Sequence, residues 1–563
     1  MNIKNIISNT FGYTPKETYD FSLPNSTVND ENTQNNQISS EESSNVFTNI
    51  NKNLDYIKTK YNLLINSDII TREFILNAKG KQYKAFLLYI DGMVDSQILN
   101  DFVLKPLMLR NKNNLFNPEE SHIISESVKN NVTIRKVKKF NLSEYVQNCL
   151  IPQNNVEHQS SFSDIFSGVN SGNCALFVDT IDVAFDIDVK GFKQRSIDKP
   201  ENEIVIKGSH EAFVENIRTN TSLLRRFTNN ENLIIESLDV GNLTKTKCAV
   251  CYMQNIANND LVAEIKYRIN NLDVDSILSA GQLEQLISDN NSLGLPKSIS
   301  TERPDNAVQH LLEGRVVVLI NGSPFALILP AIIIDFLTSP EDRNLKNIFA
   351  NFLRTIRIIC SFFALLLPGL YVAITSFHVE IIPTELLYSI LAARESVPFP
   401  VIFEILIMEI SFEIIREASL RVPSAIGSTI GIVGAIVIGQ AAVSAGIVSP
   451  ILIIIVAITA LSSFAIPDYA FSFHLRVFRF LFILLGYTAG FLGIGTGLFV
   501  YISIICNMES FGVPYSFSYS NMENPKRKGV MIPPIWKREY RASYLATKRV
   551  KKQENISMKW KLH

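Results

Sequence analysis

Three long stretches in the second half of the chain carry no charged side chain: Ile358–Val379, Ala425–Ile466 and Phe480–Met508. Crossing the hydrocarbon of a bilayer takes roughly 20 apolar residues as a helix. Lipid satisfies no backbone polar group, so such stretches must close their hydrogen bonds internally. The first predicts one crossing, over about 356–377. The second is long enough for two, divided at Ser449-Pro450, and the third gives one more. Four transmembrane helices are expected within 346–510.

Charge placement supplies an orientation. The tail from Pro525 holds twelve Lys and Arg against two acids, Glu539 and Glu554. Arg354 and Arg357 flank the first crossing. Positive charge stays on the cytoplasmic side, so both ends are expected there and the number of crossings is even. The 378–423 stretch, with seven Glu against three Arg, then falls outside. Arg476 and Arg479 resist this scheme, because they sit at the outer end of the last crossing; snorkelling or pairing with Asp468 would accommodate them.

Residues 1–345 read as soluble. The Asn/Ser/Glu/Thr-rich stretch 24–54 has too few large apolar side chains to offset its ordering entropy, so 1–53 is expected to be disordered. Strand-like and helical runs then alternate, as in a sheet covered by helices. They suggest α/β subdomains over 54–165 and 172–345, both cytoplasmic, with 511–563 as a basic cytoplasmic tail. RVVVLINGSPFALILP (315–330) is apolar enough to pass for a span. Asn321-Gly322 lies between its two β-rich runs, which predicts a buried hairpin instead. Ser339-Pro340-Glu341-Asp342 has the cap, the proline and the acids of a helix start. The fold class expected is an α/β region of two subdomains followed by an all-α polytopic membrane domain, with about four crossings and one acidic amphipathic helix.

That acidic helix, FEILIMEISFEIIREASLR (403–421), places Glu409, Glu413 and Glu417 at i, i+4 and i+8, on one stripe; Glu404 lies off it. Two readings stay open. The stripe lines a cation vestibule in an oligomer, or it is the solvated face of an interfacial helix, partly paired with Arg416 and Arg421. Ile432, Val437 and Gln440, in the span that follows, are the further candidates for a pore wall: two apolar constriction positions and one polar residue. Gly427 and Gly431, Gly486 and Gly490, and Gly493 and Gly497 have the small-residue spacing that allows close helix approach, either within the chain or between copies.

Other chemistry is missing from the sequence. With 53 Lys and Arg against 54 Asp and Glu, no basic excess marks a nucleic-acid binder. Cys248-x-x-Cys251 has no second ligand pair and falls on an expected strand, with its side chains on opposite faces. P-loop, G-x-S-x-G and H-E-x-x-H motifs are absent. No enzyme, metal site or cofactor is expected.

Several segments together resemble the A subunit of the nutrient germinant receptors of spore-forming bacteria. They are KAFLLYIDGMVD, the 190–226 run, SISTERPDNAVQHLLEGRVVVLINGSPFALILP with SPED after it, VPFPVIFEILIMEISFEIIREA, IVGAIVIGQAAVSAGIVSP, SSFAIPDY and SFGVPY. The match spans 70–540 in family order. It departs from the usual pattern at Lys207–Phe213 and at Arg343-Asn344. The resemblance implies a receptor complex in the spore inner membrane with a transporter-like B subunit and a lipoprotein C subunit. It also implies a homo-oligomer embedded in lipid that forms a nutrient-gated cation channel. The stage V sporulation protein AF is built alike, so an accessory channel or scaffold in germination is the alternative role.

Overall fold

The computed structural model describes residues 21, 23, 45–78, 81–109, 141–191, 200, 202–289, 294–421, 439–516, 531–553 and 558. Two five-stranded antiparallel sheets come first. Sheet one has the order β1-β2-β4-β5-β3, built from β1 (Ile69–Ala78), β2 (Lys81–Ile90), β3 (Val156–Gln159), β4 (Cys174–Val178) and β5 (Ala184–Ile187). Sheet two has the order β6-β7-β9-β10-β8, from β6 (Leu233–Val240), β7 (Thr246–Met253), β8 (Ile299–Thr301), β9 (Val316–Ile320) and β10 (Ala326–Leu329).

Both sheets are covered on both faces, which is why their central strands read as unbroken apolar runs rather than alternating ones. On sheet one, Leu87 and Leu176 face one cluster while Phe86 and Phe177 face the other. Helix α1 (Ile50–Tyr61) packs on the second of these faces and opens inside the stretch expected to lack structure. On sheet two, Cys251 lies in one core and Cys248 in the opposite one, so this pair cannot share a metal ion. The Arg225 guanidinium joins the two sheets' units: it donates to both carboxylate oxygens of Asp68 at 2.8 Å and to Asn66 at 3.0 Å.

The apolar run 315–330 is the buried hairpin β9–β10, with Leu327 opposite Val318. Its connection is a five-residue loop, 321–325, rather than a two-residue turn, and Gly322 takes a positive φ of 90°. Ser339 accepts from the Glu341 N–H and Pro340 opens a short 3-10 turn that ends at Arg343. The long helix begins afresh at Asn347.

The remaining described chain is mostly helical. Here α2 is Asn347–Phe377, α3 Thr384–Arg394, α4 Val401–Arg421, α5 Pro450–Phe464 and α6 Tyr469–Cys506. Among the described residues two helical stretches, α2 and α6, are long and apolar enough to cross a membrane, not the four expected. The third apolar helix, α5, has 15 residues, short of the usual crossing length. The expected span before Ser449 lies largely outside the described residues.

The stretch α6 is also not one rod. Gly490 interrupts it with φ 60° and ψ −138°, a conformation open essentially to glycine alone. The chain folds back there. His474 Nε2 meets the Tyr501 hydroxyl at 2.9 Å, whereas 27 residues of straight helix would put them about 40 Å apart. The helix is therefore a hairpin with limbs 469–489 and 491–506.

Both feet of that hairpin stand on sheet two's unit. Phe471, Ile505, Met508 and Tyr515 share a core with Phe336 and Leu337. Its tip reaches the distal end of α2, where a Cβ on Gly490 would meet the His378 ring at 2.8 Å. Helix α4 runs the opposite way and returns from the distal end into the bundle. Helix α3 lies at the distal end, and α4, within the stretch expected on the outer side, packs along the other helices. Residues 541–548 of the tail bind sheet two's unit. Arg541 donates to the Leu312 carbonyl, Arg315 to the Tyr544 hydroxyl, and Lys548 to the Gln254 carbonyl.

Candidate functional site: a buried charge cluster among apolar helices

Glu409 and Glu413, one turn apart on α4, face arginines on the first limb of α6. Arg479 lies 2.9 Å from Glu409 and 3.0 Å from Glu413, and Arg476 lies 2.7 Å from Glu413. Arg479 and Glu409 are each 1% exposed. The match is one of helical geometry. Acids at i and i+4 meet arginines at i and i+3 when two helices run antiparallel, because both spacings keep a pair on one face. Arg416, one turn further, donates to Ser463 on α5 and lies over the Phe464 ring at 4.4 Å. Asp468, the partner first expected for the two arginines, instead caps α6 by accepting from the Phe471 N–H at 2.7 Å.

Glu404, off the stripe in the sequence reading, is fully buried. It lies 3.4 Å from Arg394 and accepts from the Ser449 N–H at 3.1 Å. It thereby anchors the distal end of α4 to the start of α5. Glu417 is exposed. Gln440 is exposed as well, whereas Ile432 and Val437 lie outside the described residues. The structure thus gathers Glu409 and Glu413 in one cluster and leaves Glu417 at a surface.

The glycine positions divide in the same way. Gly427 and Gly431 lie outside the described residues. Gly486 meets Gly369 of α2 so closely that a Cβ on it would fall 2.5 Å from the Gly369 carbonyl oxygen. Gly493 presses on the Leu485 carbonyl and Gly497 on the Leu485 side chain across the hairpin.

Chemically, the cluster is a charge-compensated clamp. A buried carboxylate that faces a guanidinium has its charge cancelled locally, so it offers little attraction to a passing cation. The clamp instead fixes α4 against α6 at one rotation and one height.

The description Bacillus/Clostridium GerA spore germination protein matches residues 55–544. The chain belongs to this family. Spore germination protein KA of Bacillus subtilis (strain 168) is 37% identical over 479 residues, 85% of this chain and 84% of its own length. Spore germination protein B1 of the same strain is 37% identical over 471 residues, 83% and 90% of the two chains. Spore germination protein GerLA of Bacillus cereus is 33% identical over 484 residues, 86% and 93%. Among solved structures, the N-terminal domain of the A subunit of the Bacillus megaterium spore germinant receptor GerK3 is 30% identical. It covers 52% of this chain and 98% of its own, with a TM-score of 0.36.

In this GerA-family chain the sequence held one signal of the clamp. Arg476 and Arg479 were the charges that fitted the four-crossing scheme least well, and their i, i+3 spacing matches the i, i+4 acids of α4. Glu404 and Arg394 left no comparable trace, since their pairing depends on how the α3–α4 turn folds.

Proposed function

We propose that the chain is the A subunit of a nutrient germinant receptor in the spore inner membrane. In this reading it works with a transporter-like B subunit and a lipoprotein C subunit. It triggers germination by oligomerising into a nutrient-gated cation channel. The observation that carries the role in germination is the family match across 55–544, which takes in both sheets and the apolar helices. Placement in a membrane rests on the apolar helices. The tail and sheet two's unit pack together, which favours both on one face of the bilayer, the cytoplasmic or core side.

For the channel, the pore wall we propose combines Glu417 with the segment carrying Ile432, Val437 and Gln440. Glu417 and Gln440 are both exposed on the single chain. Glu409 and Glu413 are held by Arg479 and Arg476. The domain limits 54–165, 172–345, 346–510 and 511–563 belong to the same proposal. Deleting the gene in its host and exposing the spores to a complete nutrient mixture tests the role. Selective loss of the response to one class of nutrient, restored by the gene in trans, is the expected result. An unchanged response to every nutrient contradicts it.

A further inference from the structure

Helix α2 has 31 residues, or about 46 Å at 1.5 Å per residue, close to the ~40–45 Å of a bilayer with its headgroups. Its charge-free part begins only at Ile358, yet its outward apolar face begins ten residues earlier. Ile348 is 79% exposed and Phe352 65%, and Ile356, Ile359 and Phe363 continue the same stripe. No charge interrupts that stripe. Arg354 is buried, and Arg357 turns inward to Asp342 at 2.6 Å and 2.8 Å.

The tail joins α2 at this level. Asn351 accepts from the Ile532 N–H at 2.8 Å and donates to the Ile532 carbonyl at 3.1 Å. This fixes 531–537 beside the first two turns. That segment presents Met531, Ile535 at 59% and Trp536 at 48% exposure. Lys346 and Lys537 are exposed around the patch, and Arg538 folds back on the Pro533 carbonyl at 2.9 Å.

We infer that residues 531–538, clasped to the first two turns of α2, form an interfacial anchor whose partner is the lipid surface on the tail's side of the membrane. Trp536, Ile535 and Met531 insert at the boundary of headgroups and acyl chains, and Lys346 and Lys537 meet lipid phosphates. Three observations favour lipid over another partner. The patch continues the outward face of a membrane helix without a break. It sits about 15 Å along the helix from the first charge-free residue, where the headgroups belong. It combines a tryptophan with lysines, the pairing that suits a wet, anionic interface. The anchor rests on the membrane reading proposed above and adds to it the depth at which the chain sits.

The chain has two tryptophans, Trp536 and Trp560, so the depth of one can be read directly. Full-length protein is placed in lipid nanodiscs of phosphatidylcholine and phosphatidylglycerol with bromine at shallow or at deep acyl positions. Emission is compared between the unaltered chain and W536F, and their difference is the signal of Trp536. The shallow bromolipid is expected to roughly halve that signal, as suits a tryptophan in an aromatic belt, with the deep one weaker and aqueous iodide weakest. W560F, in which Trp536 is the only tryptophan, should give the same order. Iodide quenching without bromolipid quenching would put Trp536 in water, and protection from all three quenchers would put it beneath another copy of the chain. Stronger quenching by the deep lipid would put it in the hydrocarbon. Each of these overturns the anchor while leaving the membrane reading intact. Failure of the chain to enter nanodiscs overturns both.

Discussion

Replacing Arg479 by methionine removes the only ion-pair partner of Glu409 among the described residues. Glu413 keeps Arg476 at 2.7 Å and is itself 28% exposed, so it tolerates the change. Glu409 is 1% exposed and would be left as a lone buried carboxylate. Breaking a buried pair from one side costs about 3–5 kcal/mol. The converse change, Glu409→Gln, leaves Arg479 with Glu413 at 3.0 Å and should cost roughly 1 kcal/mol, the scale of one net hydrogen bond. Removing both charges with E409M/R479M should restore much of the loss, because no unpaired charge then remains. Thermal unfolding of the full chain in one detergent, followed by helical signal, ranks the variants. The expected order of stability is unaltered, E409Q, E409M/R479M, R479M. If R479M is as mild as E409Q, or if E409M/R479M is no more stable than R479M, the charges are not coupled. They would then stand in water, and the clamp is wrong.

Three other expectations follow from separate parts of the molecule. Gly486→Leu should separate α2 from the hairpin, because a Cβ there already meets the Gly369 carbonyl at 2.5 Å; overpacking of this kind costs about 1–3 kcal/mol, and G486L melting like the unaltered chain would contradict the close contact. Burial pushes the Glu203 carboxyl up to about 7, against the opposing hydrogen bonds from Thr301 and the Glu302 N–H. A carboxyl raised on folding adds stability that is complete below its unfolded pKa and is lost as pH rises through the folded value, so stability should fall between about pH 4.5 and 7; E203Q should flatten that part of the melting profile, and an unchanged slope refutes the assignment. Single cysteines at the exposed Ile206 and Lys548, in a chain stripped of its own cysteines, should label from the same side of sealed vesicles, and labelling from opposite sides would undo the shared face of tail and sheets.

What the sequence made legible was what short-range pattern controls. The hairpin 315–330 was recoverable from Asn321-Gly322, and the separation of Cys248 from Cys251 from the two-residue period of a strand. The acid stripe of α4 was visible, but its meaning was not. Whether Glu409 meets water or Arg479 depends on a residue 70 positions further along the chain. Gly490 hid in the same way: within a charge-free run it looks like one more small residue, and only its positive φ shows that a single apolar stretch makes two limbs. Counting charge-free stretches therefore miscounts helices. It takes Phe480–Met508 for one crossing, although Gly490 divides it between two limbs.

In the proposed channel, copies of this chain enclose a cation path held closed by apolar side chains of the segment that carries Ile432 and Val437. The most direct measurement uses the purified chain in vesicles loaded with potassium ions, comparing unaltered protein with Val437→Ser, at equal incorporation. A polar side chain at a dewetted constriction lets water and ions enter. Tight vesicles are expected with the unaltered chain, and with V437S a potassium leak that vesicles without protein do not show. Equally tight vesicles with both, from protein shown by its melting curve to be folded, would contradict it.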